Sequence, residues 1–241
     1  MSTRYVPMRL PSRFLTRIAA VAAMTVLGAC ASEPVPDWKQ SASSSTELGA
    51  RAWMEGKDAI DLAEFNRARR EVRATGRPEE LAKVELFRCA TRTATLDDSL
   101  CEAFEPLAPD VSEALRAYDR YIAGQAGPGD AELLPGPHRP VAQAGAGSDF
   151  VALLNKIEDP LSRLVAAGVL YRRQLAGPGV AAVGVETASA QGWRRPLLAW
   201  LMVTRTLAEA AGQTDAAQAA QRRMDLVAPP VPPEPQPGSS D

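Results

Sequence analysis

Few residues in this chain have the type and spacing that chemistry demands. There are three cysteines, Cys30, Cys89 and Cys101, and a single histidine, His138, in 241 residues. Cys89 and Cys101 lie too far apart for a C-x-x-C redox pair. A nucleophilic triad needs a histidine base, and only His138, in Pro137-His138-Arg139-Pro140, could supply it. No G-x-S-x-G elbow presents a serine, and Gly147-Ser148-Asp149 reads as helix capping. With one histidine, zinc ligands are too few. Glu79-Glu80 and Asp97-Asp98 could be the acids of a glycan hydrolase, but sequence neighbours need not converge across a cleft; helix-start and turn roles explain them. Gly179 to Gly184 has the separation of a phosphate loop, yet Val185-Glu186 stands where lysine and a hydroxyl residue are required. Gly127-x-Gly129 and Gly145-x-Gly147 lack the preceding strand and third glycine of a dinucleotide site.

Cys30 stands apart because its surroundings are specific. Arg4, Arg9, Arg13 and Arg17 come first, followed by an apolar run from Ile18 to Leu27 broken only by Thr25; no acid precedes Cys30. The run is too short to span a membrane, which takes about 20 apolar residues. This is the layout of an export signal over residues 1–29, and Met8-Arg9-Leu10 would begin an equally good one. Leu27-Gly28-Ala29-Cys30 resembles the lipobox of bacterial lipoproteins. The resemblance implies cleavage before Cys30, diacylglycerol on its thiol and a further acyl chain such as palmitate on its amine, enough for stable anchoring. The alternative is an ordinary cleaved signal or short anchor with Cys30 incidental. Ala31-Ser32 lacks the aspartate tied to inner-membrane retention, so a periplasm-facing position on the outer membrane is expected, with the inner membrane as the alternative.

The signal takes four of the 27 basic residues and none of the 29 acidic ones, leaving a mildly acidic mature chain. Such a chain is a poor nucleic-acid binder. Alanine is abundant and aromatics make up only 5%, which favours helices over sheets. The expected fold is all-α, with helical hairpins packed as a bundle or short solenoid. With Cys30 assigned to lipid, Cys89 and Cys101 are an even pair in an oxidising compartment, either bonded or two buried thiols. One unbroken helix would hold their Cα atoms about 18 Å apart, whereas a disulfide needs roughly 4.4 to 6.8 Å. A bond therefore requires a chain reversal, most naturally at Thr95-Leu96-Asp97-Asp98-Ser99.

In chain order, residues 30–46 are rich in Ser, Pro and Ala without apolar periodicity and read as a lipidated tether. Trp38 within it is expected to be exposed or at the membrane interface. Residues 47–123 read as a helical region. One helix carries Leu48, Ala52 and Trp53; the next, from about Asp58 to Thr75, places Leu62, Phe65, Ala68 and Val72 on one face. Its Arg67, Arg69, Arg70 and Arg73 read better as a solvated face paired with Glu64 and Glu71 than as an anion patch. Pro78-Glu79-Glu80 opens a third helix, with Leu81, Val84, Leu86 and Phe87 leading to Cys89. Asp110 caps another, bearing Leu115, Tyr118 and Ile122. Five glycines and four prolines between 127 and 147 make residues 124–147 a linker or functional segment, with His138 exposed to solvent. Residues 148–227 return to helices, opening near Asp149, Pro160, Val180, Pro196 and Asp215. Residues 228–241 are Pro-rich and read as a disordered tail.

Pro160 and Pro196 begin comparable helices, and Gly177 and Gly212 follow them at nearly the same period, similar to tetratricopeptide-type hairpins. Gly212, Ala217 and Pro229 suit that family's spacing; Arg205 does not. The mature chain also resembles an uncharacterised family of proteobacterial periplasmic lipoproteins. The resemblance is carried by Glu64-Phe65-Asn66-Arg67-Ala68-Arg69, Thr75-Gly76-Arg77 and Glu85-Leu86-Phe87-Arg88-Cys89-Ala90. Cys101, Phe104, Ala117-Tyr118, Tyr121-Ile122-Ala123-Gly124 and His138-Arg139 extend it. It implies location and supports a disulfide, but no activity. The expectation is a non-enzymatic adaptor or envelope assembly factor, held to the membrane by the lipid on Cys30. An envelope protein is the expected partner, with His138, Arg139, Trp193 and Trp200 as candidate contacts, and without cofactor, metal, nucleotide or nucleic acid. The competing readings are a peptidoglycan or glycan hydrolase using paired carboxylates, and a structural lipoprotein without a specific ligand.

Overall fold

The computed structural model describes residues 35–228. Cys30, the export signal and the Pro-rich stretch from Pro229 lie outside the described residues. Among those described there is no β-strand. The long helices are α1 (Asp37–Glu55), α2 (Asp58–Arg73), α3 (Pro78–Ala94) and α4 (Glu113–Ile122). After the short α5 (Arg139–Gln143) and α6 (Phe150–Asn155) come α7 (Pro160–Arg172), α8 (Pro178–Gln191), α9 (Arg194–Ala210) and α10 (Thr214–Val227). 3-10 turns lie at Glu105–Asp110, Ala131–Leu133 and Gly136–His138. Neighbours pair as hairpins, α1 with α2 and α7 through α10 in succession, while α3 lies against both α2 and α7. No helix among the described residues is long and apolar enough to cross a membrane.

The first helix begins at Asp37, so the expected tether is helical from there through Thr46. Its Ser- and Ala-rich sequence has no apolar stripe, but it has a stripe of small residues. Ala42, Ser45, Thr46, Gly49, Ala50 and Trp53 are buried at helical spacing, which lets the backbone approach α2. A Cβ on Gly49 would stand 2.8 Å from the Phe65 ring. Packing of this kind overrides weak intrinsic propensity. Trp38 is half-buried, not exposed: it packs on the cluster of Phe65, Ala68, Val72 and Val84, with the Arg77 guanidinium 5.8 Å from its ring centre.

On α2 the expected stripe is displaced. Phe65, Ala68 and Val72 are buried, but Leu62 is exposed and Asp61 occupies the buried position. After Ala94 the chain reverses at Leu96, which takes a left-handed φ of 60°. That reversal brings Cys101 back to Cys89, and the two are joined with Cα atoms 5.6 Å apart. Asp149 and Asp159 accept from the backbone N–H groups of Ala152 and Ser162 and start α6 and α7.

The stretch 124–147, expected to separate two helical regions, is folded into a core shared by both. Ala131, Leu134, His138 and Val141 are buried. Leu134 joins Trp53, Leu86, Tyr121, Leu164 and Trp200 in one apolar cluster that runs from α1 to α9. Single turns, each placing one residue inside, leave no periodicity to read. Close helix approach completes the core. A Cβ on Gly168 of α7 would meet the Thr93 carbonyl oxygen at 2.1 Å, and one on Gly184 of α8 would meet the Trp200 indole at 2.4 Å.

Candidate functional site

The residues singled out from the sequence do not converge on one site. Trp200 is fully buried, edge-on to Tyr171 with ring centres 6.3 Å apart, and is a core residue on α9. Its indole N–H has no hydrogen-bond partner, so its position is set by shape. Trp193, also part of that core's margin, is half-buried at the start of α9. Arg139 is exposed and donates from Nε to the Leu134 carbonyl at 2.8 Å, which folds its own segment. His138 is 4% exposed, against the expectation of a solvated loop histidine. The segment's apolar residues carry the ring inward with them.

Three of the four paired acids, Glu79, Glu80 and Asp97, are engaged in structure, while Asp98 is exposed. Both carboxylate oxygens of Glu79 accept from Ser112, one from its N–H and one from its hydroxyl, each at 2.8 Å. These bonds hold the Glu79 carboxyl below the usual range. Asp97 accepts from the Ser99 N–H at 2.9 Å and faces Arg92 at 3.5 Å. Burial raises the Asp97 pKa, but Ser99 and Arg92 together outweigh it and the net shift is downward. Glu80 pairs with Lys83 at 2.8 Å. Among the described residues, no group of three His, Cys, Asp or Glu is placed to hold a metal ion.

What the fold does build is an apolar groove. Lys83, Leu86 and Phe87 of α3 form one wall, and Ala114, Leu115 and Tyr118 of α4 the other. Leu133, Leu134 and Pro135, from the segment after α4, close the outer side around a volume of about 460 Å³. Leu86 and Leu134 are buried in its floor, while Leu133 is 41% exposed at its edge. Lys83 is the charged residue of the lining, at the rim. A second hollow of about 260 Å³ shares Lys83 and Phe87 and continues toward Trp38, Ala42 and Val84. Such a surface lies within the range of ligand and peptide grooves.

Behind Tyr118 lies a buried aromatic cluster. The Tyr121 hydroxyl and His138 Nδ1 share a hydrogen bond at 3.1 Å, and their ring centres are 5.1 Å apart. Tyr118 lies 5.9 Å from the imidazole and 6.1 Å from Tyr121. Burial pushes the His138 pKa down to about 4 and both phenols upward. At neutral pH all three groups are uncharged. The imidazole is hydrogen-bonded to a phenol whose proton burial holds in place.

Sequence reasoning missed a charged interface between α2 and α3. Arg69, read as part of a solvated face, instead reaches Glu85 through two parallel bonds of 2.6 and 2.5 Å, and Glu85 is buried. Asp61 lies between Arg88 and Arg92 at 3.4 and 3.5 Å. The legible signal was polar spacing on both helices, Asp61 and Arg69 opposite Glu85, Arg88 and Arg92. Arg67, Arg70 and Arg73 are exposed. No family model, curated protein or solved structure matches the chain.

Proposed function

We propose that this protein is a lipid-anchored helical lipoprotein facing the periplasm, serving as an adaptor or assembly factor that holds an apolar segment of an envelope partner. The observation that carries the reading is the groove between α3 and α4. It presents Phe87, Leu115, Tyr118 and Leu133 together beside a single lysine, a contiguous apolar lining rather than apolar residues scattered singly. Apolar grooves of this kind take one face of a partner helix or extended segment. The lipobox at Cys30 supports placement at the outer membrane, where anchoring raises the effective concentration of a partner in the same envelope. The engaged roles of Glu79, Glu80 and Asp97 favour a binding module over a hydrolase.

The test places a photo-crosslinking amino acid at Leu115 in the full lipidated protein in cells. A single stoichiometric envelope partner, lost when Leu133 is changed to Asp, supports the docking role. No crosslinked partner from a normally folded, lipidated protein sinks it. Fractionating Cys30→Ser tests the anchor separately: retention with membranes at unchanged size would rule out lipidation there.

A further inference from the structure

The docking role gives His138 nothing to do, yet the ring sits where the groove's outer wall meets α4. The segment Ala131–Gln143 consists of two 3-10 turns and a helix of five residues, too little backbone structure to hold itself. Its position comes from what it buries: Leu134, Val141 and the imidazole of His138 against Tyr118 and Tyr121. From the burial and contacts of this ring we propose that His138 is a proton-operated latch on the groove. Neutral, it pins the segment to α4 and keeps Leu133 to Pro135 in place; protonated, it releases the segment and removes the wall. The inference rests on the groove being the docking site.

An imidazolium is badly served in this position. From α4 it meets two aromatic rings and one phenol, whose proton burial keeps in place. From the start of α7, Asp159 favours the proton, but only at a distance. Just beyond α7, Arg173 brings a positive charge to the same segment, donating to the carbonyls of Val141 and Ala144 at 3.3 and 3.0 Å. Within the segment Arg139 is turned to the Leu134 carbonyl, and Asp130 at its start is already paired with Arg120 at 3.0 and 2.5 Å. In water the ring would titrate near 6.5; closed, it titrates near 4. Opening of the segment is thus linked to proton uptake and increases about 20-fold between pH 7 and pH 5.

His138 is the chain's only histidine, so its imidazole signal can be followed by NMR without a variant. In the full lipidated protein in detergent micelles, the ring is expected to stay neutral at pH 6. Hydrogen exchange, corrected for intrinsic rates, is expected to show amides of residues 131–143 opening about 20-fold more at pH 5 than at pH 7, and at both pH values opening more often than those of α7 and α9, which exchange when the whole fold opens. His138→Gln, which cannot charge, flattens that dependence; should the variant be open at every pH, the wild-type measurements still decide. A ring half-charged at pH 6.5, a pH-independent opening, or a segment that opens no more often than α7 and α9 overturns the latch. Neither readout needs a partner. Their failure therefore leaves the docking role standing, and a failed crosslink at neutral pH leaves the titration intact.

Discussion

The contacts of α3 with α2 and of α3 with α7 bring helices together by opposite means. Toward α2, long charged side chains fill the gap. Arg69 and Glu85 form a forked pair, Asp61 lies between Arg88 and Arg92, and Arg88 lies 5.3 Å from the Phe65 ring centre. Toward α7 the closest approach has no side chain on one side: Gly168 sits directly on the Thr93 carbonyl. The first interface adds buried charge pairs to the apolar packing of Phe65, Ala68 and Val72 on Val84; the second has no slack at Gly168 and is governed there by shape. The ionic interface is also incompletely satisfied. Asp61 Oδ1 and Arg88 Nε are buried without partners, so its net contribution to stability is small relative to the number of charges in it.

The contrast predicts its largest effect at Gly168. In Gly168→Ala the new methyl would overlap a backbone oxygen, which cannot swing aside as a side chain can. A loss of about 4 kcal/mol or more is expected in chemical denaturation. A loss under about 1 kcal/mol would mean that α3 and α7 are looser than their contact implies. Glu85→Ala comes next, because it strands Arg69 in a mostly buried place, at roughly 3 to 5 kcal/mol. The double change Arg69→Met with Glu85→Leu should recover most of that. If it does not, the pair stabilises the fold outright and the two interfaces differ less in what holds them.

The same contrast explains what could be read from residues alone. Helices announced by proline or aspartate in or before their first turn were legible, as α3, α7 and α10 show, because those signals are local. The disulfide was legible as one of two alternatives for an even pair of cysteines; geometry added only where a bond would require the chain to reverse, and Leu96 lies within that stretch. Helix α1 was not legible from Asp37, because its inward stripe is Ala, Ser, Thr and Gly, which an apolar scale scores as surface. Asp61 and Leu62 exchanged roles for a related reason: an interface built from charge breaks the rule that the apolar residue faces inward. The groove had no linear signature at all. Its walls come from α3, α4 and a Pro-rich segment, and only their assembly reveals that Phe87, Leu115 and Leu133 are neighbours.

Acid separates the regions a third way. The imidazole of His138 is titrated near 4 in the fold and near 6.5 when exposed. Its contribution is complete above pH 6.5, falls as the pH drops toward 4, and changes no further below that. The total is about 3 kcal/mol. The carboxyls of Glu79 and Asp97 are held below their usual values, so the stability they add is present above the ordinary carboxylate range and disappears at still lower pH. Stability measured from pH 7 to pH 3 should therefore fall in two stages, and His138→Gln should remove only the first. A first stage that persists in the variant would assign it to other groups.

The smallest effect tests where the ionic interface ends. Arg195 of α9 stacks on Trp53 of α1, 3.6 Å from its ring centre, while Arg92 of α3 covers the ring at 3.9 Å. Arg195 also donates from Nε to the Trp53 carbonyl at 2.8 Å and pairs with Asp58. The pair with Asp58 is largely exposed and adds little; the stack and the carbonyl bond should together be worth about 1 kcal/mol. Lysine keeps the charge but loses the flat fork. If stacking matters, Arg195→Lys will lose nearly as much as Arg195→Ala; if charge alone matters, it will behave as wild type. The first outcome makes Trp53 the point where the ionic interface extends across to α9. The second confines that interface to α2 and α3, with α9 held to α1 by apolar packing.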